Sequence, residues 1–413
     1  MHKTICHVAV ATIALVLAGL TARHAVADNA QSPAERGRYL TIAGNCITCH
    51  TSEGGELFAG GLAFQTPFGT IYSTNITPHR ETGIGSWSEA QFARAVREGV
   101  RPDGEHLYPA FPYTAYTKLS DDDVASIYAY LQTLKPVDAP ARQNEMGFPY
   151  NQRWALGGWK MLFFDEGRFE PDSSKSKEWN RGAYLVEGLG HCSACHSPRN
   201  LLGAEKSGSA MTGGELTAMV ANGAIRTWST PNLTDVSNGL QSWSLDDVAD
   251  YLKHGRNSAT ETHGPMNEVI LSSTRHLTDA DVRAMAVYLK ELPGDRGSLG
   301  KAASAEVLKE GERLYNLNCG TCHQPNGMGD NAHDGGARLV GNPLVQATNP
   351  AALINVVLYG PQVTDLGEKR WKDMPSFEEK LADEDIAAIA SYLRNAWGNV
   401  GGEVTEEQVT RQR

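Results

Sequence analysis

Cys46-Ile47-Thr48-Cys49-His50 is the stretch on which the reading of this chain turns. The same pattern returns at Cys192-Ser193-Ala194-Cys195-His196 and at Cys319-Gly320-Thr321-Cys322-His323. Successive copies lie 146 and 127 residues apart. Cys-x-x-Cys-His is the attachment sequence of c-type haem. Two thiols on one helical turn reach both vinyl groups of a porphyrin, and the adjacent histidine meets the iron from the proximal side. A zinc site would need a fourth ligand at each copy, and a redox-active cysteine pair has no use for a trailing histidine every time. Three covalently bound haem c groups are therefore expected. Cys46, Cys49, Cys192, Cys195, Cys319 and Cys322 would hold them, with His50, His196 and His323 as iron ligands.

Outward from each motif the surrounding sequence repeats too. Arg36-Gly-Arg-Tyr-Leu40, Arg181-Gly-Ala-Tyr-Leu185 and Glu310-Gly-Glu-Arg-Leu314 precede the three copies. Ser73-Thr-Asn-Ile-Thr77 is echoed by Thr230-Pro-Asn-Leu-Thr234. Short amphipathic helices are predicted over Phe92 to Gly99, Val248 to Gly255 and Leu353 to Gly360, with glycine as the stop. A longer helix then closes each repeat, ending at Tyr130-Leu131, Tyr288-Leu289 and Tyr392-Leu393. Ser120 and Thr278 are good caps for two of them, with acids in the first turn to meet the helix dipole. Strand signals are weak. The expected fold is all-α, with three tandem c-type cytochrome domains at 32–137, 179–294 and 305–398. Residues 138–178 read as a proline-interrupted connector and 399–413 as a polar tail.

The 413 residues are 41% hydrophobic and 21% charged, the composition of a folded globular chain. A net charge of −11 argues against nucleic acid or an anionic lipid surface as a partner. Residues 1–27 read as a secretory signal: Lys3, an apolar run from Ile5 to Leu20, then Ala25-Val26-Ala27 for cleavage. Export to the periplasmic face of the bacterial inner membrane is expected. Cys6 leaves with the signal, so every remaining cysteine belongs to an attachment motif.

An electron-carrying haem usually takes a second axial ligand, often Met. Met266, in Gly264-Pro-Met266, and Met374, before Pro375, sit on loops past the short helices and are the expected iron ligands. Met211, Met219 and Met285 read as packing residues. The first repeat has Phe111 where a ligand should be. Three readings stay open: five-coordinate iron, ligation by His106, or a connector methionine, Met146 or Met161, folding back. No catalytic triad, phosphate loop or carboxylate pair emerges, so no substrate-oxidising site is expected.

The three motifs, Ser73-Thr-Asn-Ile-Thr-Pro78, Leu107-Tyr-Pro-Ala-Phe-Pro-Tyr113, Gly264-Pro-Met266, Met374-Pro-Ser-Phe377 and Trp397-Gly-Asn399 resemble a known family. It is the triheme cytochrome c subunit of bacterial membrane-bound alcohol, aldehyde, gluconate, sorbitol and fructose dehydrogenases. The resemblance implies a membrane-associated complex in which this chain takes electrons from a catalytic subunit and passes them to ubiquinone. The Phe111 form resembles cytochromes that serve molybdenum hydroxylase-type aldehyde or N-heterocycle dehydrogenases, with a small iron–sulfur subunit. The alternatives are a quinoprotein or flavoprotein partner, a freestanding shuttle, or a haem enzyme whose first haem is open. Relatives carrying a C-terminal amphipathic anchor differ from this chain, whose end is polar. The Trp154 to Phe164 stretch could supply membrane contact or interdomain packing instead.

Overall fold

The computed structural model describes residues 31–219, 225–295, 300–330, 335–361 and 373–413. The expected signal at 1–27 lies outside them.

Each repeat opens with a helix that leads into its motif: Pro33–Ala43, Lys177–Tyr184 and Ala305–Asn318. Each closes with a helix that crosses it: Asp121–Leu131, Asp279–Lys290 and Asp383–Asn395. The crossing explains the repeated glycine. A Cβ placed on Gly37 would fall 1.8 Å from the Ser126 carbonyl oxygen, on Gly182 1.9 Å from that of Ala284, and on Gly311 2.2 Å from that of Ala388. Only glycine lets the two backbones touch. Ser120 and Thr278 cap their helices as expected, accepting from the Asp123 and Asp281 amides. Gly99 and Gly255 end the short helices Glu89–Glu98 and Leu245–His254 in left-handed conformation, at φ 61° and 70°.

The all-α expectation needs correction. A hairpin of β1 (Ala63–Thr66) and β2 (Gly69–Tyr72) follows the first motif, and β3 (Glu145–Met146) of the connector pairs with β2. After the second motif, β4 (Gly214–Met219) and β5 (Ile225–Thr230) form a six-residue antiparallel ladder. The β-branched content of Ile225-Arg-Thr-Trp-Ser-Thr230 was a legible strand signal. β1 and β2, at four residues each, gave little.

The polar-tail reading also changes. Residues 399–413 turn back onto the third repeat, and Val404 and Val409 are buried. Ser391 Oγ donates to the Val404 carbonyl and accepts from its amide. Thr410 Oγ1 donates to Asp383 at 2.6 Å.

The first two repeats share one hydrophobic core, running from Leu40 and Leu131 through Val186 to Leu289. The third has its own, around Tyr315, Ile354 and Ile389. A reciprocal contact joins the first two. Arg36 holds Asp123 and Arg181 holds Asp281, each pair within one repeat. Tyr39 then crosses over to Asp281, and Tyr184 crosses to Asp123. The third repeat has Glu310 and Arg313 at the corresponding positions, and these pair with each other instead. It docks through the helix Ala351–Tyr359 on β5. There Asn355 Nδ2 donates to the Thr227 carbonyl at 2.9 Å, and the Arg226 guanidinium stacks 3.4 Å from the Tyr359 ring centre.

Candidate haem-attachment sites

Each motif forms one short helical turn: Cys46–His50, Ser193–His196 and Gly320–His323. In the first two repeats a left-handed residue turns the chain into it, Asn45 at φ 50° and His191 at φ 36°. The second opening helix also widens into a π-turn over Leu185–Leu189 just before its motif, a distortion common at functional sites.

The three histidines are held alike. Nδ1 of His50 donates to the Thr74 carbonyl at 2.7 Å, that of His196 to Pro231 at 2.9 Å, and that of His323 to Ala337 at 2.7 Å. This bond fixes the tautomer and leaves the Nε2 lone pair for a metal. Burial holds each ring below the ordinary histidine range, with the carbonyl partly opposing, so the neutral imidazole is favoured. The repeated Thr-Asn-Ile-Thr and Pro-Asn-Leu-Thr segments are what present two of these carbonyls. Asn75 Oδ1 accepts from the amide and hydroxyl of Thr77, and Nδ2 donates to Val137. Asn232 repeats this with Thr234 and Asp295. The sequence echo was visible, but its purpose of aiming a carbonyl at the histidine was not. Ala337 has no such echo. It follows Gly336, where a Cβ would lie 2.9 Å from His323 Nδ1.

None of the six motif cysteines is joined in a disulfide. Burial pushes Cys46 and Cys192 up to about 12 and Cys49 and Cys319 up to about 11. Cys195 is pushed up by burial as well. Among the described residues no three His, Cys, Asp or Glu side chains gather as a metal cage. The donor set at each motif is two thiols and one imidazole, which suits a porphyrin held by thioethers better than a bare ion.

A cavity of about 1500 Å³ lies beside the first motif, lined by Cys46, Cys49 and His50. It runs on to Cys195 of the second motif and to Leu216 and Thr227 of the β4–β5 hairpin. The first two sites therefore open on one space. Phe111 and Met146 also line it. His106 is turned away, its Nδ1 3.0 Å from Lys160 Nζ and its Nε2 facing Gly157. Met161 points to solvent, 88% exposed. Met266 opens the helix Met266–Ser272, half-buried against the shared core, and that helix packs on Cys46–His50. Gly264 before it sits against the face of Trp228, where a Cβ would fall 2.5 Å from the ring. Met374 packs half-buried on the third core. Met211 and Met285 are buried core residues, and the Met219 side chain lies outside what is described. His191 is a packing residue, edge-on to Tyr116.

Comparison with known proteins agrees with this geometry. The family model "Cytochrome c" matches residues 34–135 and 180–293, and the model "Cytochrome C oxidase, cbb3-type, subunit III" matches 306–393. The fructose dehydrogenase cytochrome subunit of Gluconobacter japonicus is 38% identical, over 97% of this chain and 88% of that protein. The gluconate 2-dehydrogenase cytochrome c subunit of Pantoea cypripedii is 38% identical, over 94% of this chain and 91% of its own length. The chain belongs to this family of dehydrogenase cytochrome c subunits. One of the subunits of the nicotinate dehydrogenase of Pseudomonas putida is 44% identical over 87% of this cytochrome, which spans only 30% of that longer protein. Cytochrome c domains carry covalently bound haem c, and the motif cysteines and carbonyl-held histidines of this cytochrome fit that group.

Proposed function

We propose that this cytochrome is the electron-transfer subunit of a periplasmic dehydrogenase, taking electrons from a catalytic subunit and delivering them to ubiquinone in the inner membrane. Haem c supplies reversible one-electron exchange. The observation that carries the reading is the set of three histidines with Nδ1 on a carbonyl, one of them, His50, on a cavity that Cys195 of the second motif also lines. The cysteines would anchor three haems, and His50, His196 and His323 would bind iron through Nε2. Met266 and Met374 would be the opposite ligands of the second and third. At the first site Phe111 offers no donor; Met146 on the cavity wall would be the candidate ligand, and without it His50 alone would hold the iron from the protein. His106 and Met161 are the weaker choices, since they point elsewhere.

For the partner, the 44% identity to part of a nicotinate dehydrogenase, with Phe111, favours a molybdenum hydroxylase-type enzyme oxidising an N-heterocycle or aldehyde, and a small iron–sulfur protein would sit between the two. The fructose and gluconate relatives support a flavoprotein or quinoprotein partner as the alternative. Purification from the native host tests the reading. The cytochrome should bring a larger cofactor-bearing subunit with it, and that subunit's substrate should reduce its haems. Recovery of the cytochrome alone, with no dehydrogenase activity, would overturn it. A second reading, a haem enzyme open at the first site, rests on Phe111. Carbon monoxide should then bind about one haem in three of the reduced protein. Binding that appears only after Met146→Ala would assign Met146 as the ligand.

A further inference from the structure

Arg394 lies in the closing helix of the third repeat and is 1% exposed. Arginine is almost never buried to this degree without an anion beside it. Here Nε donates to the Gly402 carbonyl at 3.2 Å, and Nη1 to those of Val345 at 3.0 Å and Ala347 at 2.6 Å. Nη2 donates to Gly401 and, at 3.5 Å, to Thr348. The guanidinium thus spends its donors on backbone carbonyls, and among the described residues no carboxylate pairs with it. Burial lowers it to about 10, which still leaves a cation at neutral pH.

The carbonyls it holds belong to a wall of the large cavity. Ala347, Thr348 and Asn349 line that cavity, as does Cys195 of the second motif. The same stretch is moored to the segments that serve the second histidine. Gln346 Nε2 donates to the Ser237 carbonyl at 2.8 Å, Asn349 Nδ2 to Glu215 at 2.7 Å, and the Ala352 amide to Ser229 Oγ at 3.0 Å. β5 ends at Thr230, one residue before the Pro231 carbonyl that holds His196. Arg394 therefore stands behind a single backbone segment of the second site's wall, although it belongs to the third repeat.

Charge at that position acts on the site. In a trans peptide the N–H points away from the C=O, so the Thr348 and Asn349 amides turn their positive ends away from the guanidinium. Cation and dipoles then add across the wall. The charged side chains that line this part of the cavity are Arg199, Glu205, Lys206, Glu215 and Asp295. All of them are exposed or partly so, and water and salt screen them. A buried cation is screened far less. Reduction adds an electron at the iron, and a fixed positive charge nearby favours the reduced state.

We propose that Arg394 is a positioning residue that raises the potential of the haem at the second motif, by fixing the 347–349 wall and holding a positive charge behind it. The inference rests on the electron-transfer reading above, since it concerns a haem bound at Cys192, Cys195 and His196.

The test is redox titration of the haem-loaded protein. Cys192→Ser together with Cys195→Ser identifies the second couple as the one that disappears. Arg394→Gln keeps a hydrogen-bonding side chain and removes the charge. It should move the second couple towards the oxidised form about tenfold, which is about 59 mV for one electron, and leave the first couple within about twofold. Arg394→Lys keeps the charge without the planar fork and should hold the second couple within about twofold of the parent. An unmoved second couple in Arg394→Gln overturns the proposal. So does an equal displacement in the Gln and Lys variants, which would mean a purely structural role, or a shift confined to the third couple. If Arg394→Gln does not accumulate, Thr348→Lys and Thr348→Asp read the same wall from an exposed position. They should move the second couple up and down respectively by about twofold, and no movement in either overturns the proposal. A pyridine haemochrome count separates this inference from the earlier reading. A parent without haem at the second motif defeats the electron-transfer reading, whereas three haems with an unmoved second couple defeat the role of Arg394 alone.

Discussion

A neutral histidine offers a metal one nitrogen, and a hydrogen bond at the other fixes which; three backbone carbonyls fill that role at His50, His196 and His323. In the proposed assignment Met266 and Met374 would each supply a thioether to one iron and raise its potential. Met266→Ala and Met374→Ala should each lower one haem midpoint by on the order of 100 mV, because a thioether stabilises ferrous iron. Redox titration of each variant checks this, and unchanged titrations would remove both residues from the ligand set. Asp281 supplies a test of pH dependence. Burial raises its carboxyl, but the bonds from Arg181 and Tyr39 outweigh it and hold the group below the ordinary range. A depressed carboxylate stabilises the fold above its unfolded-state pKa near 3.9, and that stability fades as pH falls through the lower native value. Asp281→Asn should therefore cost about 1–2 kcal/mol at pH 7 and progressively less below about pH 4. Denaturant unfolding at both pH values measures the difference, and an equal cost at both would refute the linkage.

Among the elements, the glycine crossing is the least forgiving. Ala at Gly37, Gly182 or Gly311 would put a methyl group against a carbonyl oxygen, and a backbone cannot yield as a side-chain tip can. Each substitution should cost several kcal/mol, about 3 or more, by forcing the opening and closing helices apart. Thermal melts of the haem-loaded variants would show it, and a loss under about 1 kcal/mol would mean that the helices slide freely. The crossed tyrosines act between repeats. Tyr39→Phe and Tyr184→Phe should each cost about 1 kcal/mol, since each leaves a buried carboxylate one donor short.

The whole molecule divides as two repeats plus one. One core runs through the first two, while the third is separate and is closed by residues 399–413. Unfolding should therefore show two transitions. Val409→Ala, at a site fully closed to solvent, should lower only the transition of the third repeat, by about 1–2 kcal/mol. Site-resolved haem spectra during melting would assign the transitions, and a single transition displaced as a unit would contradict the division.

Spacing alone determined the attachment chemistry: two thiols and an imidazole within five residues need only one helical turn, so Cys46–His50 and its two copies were readable without a fold. The helix boundaries at Ser120, Thr278, Gly99 and Gly255 were local in the same way, because a cap answers to its own three or four neighbours. Tertiary structure decided everything that joins distant residues. It brought Thr74, Pro231 and Ala337 to the histidines, placed Cys195 on the cavity of the first motif, crossed Tyr39 and Tyr184, and folded Val404 and Val409 beneath the third repeat. It also turned His106 away from that cavity and left Met146 on its wall, a distinction the sequence kept open. The physical reason is the same throughout: a carbonyl, a cavity wall or a buried valine has no side-chain signature of its role, since that role exists only once another segment packs against it.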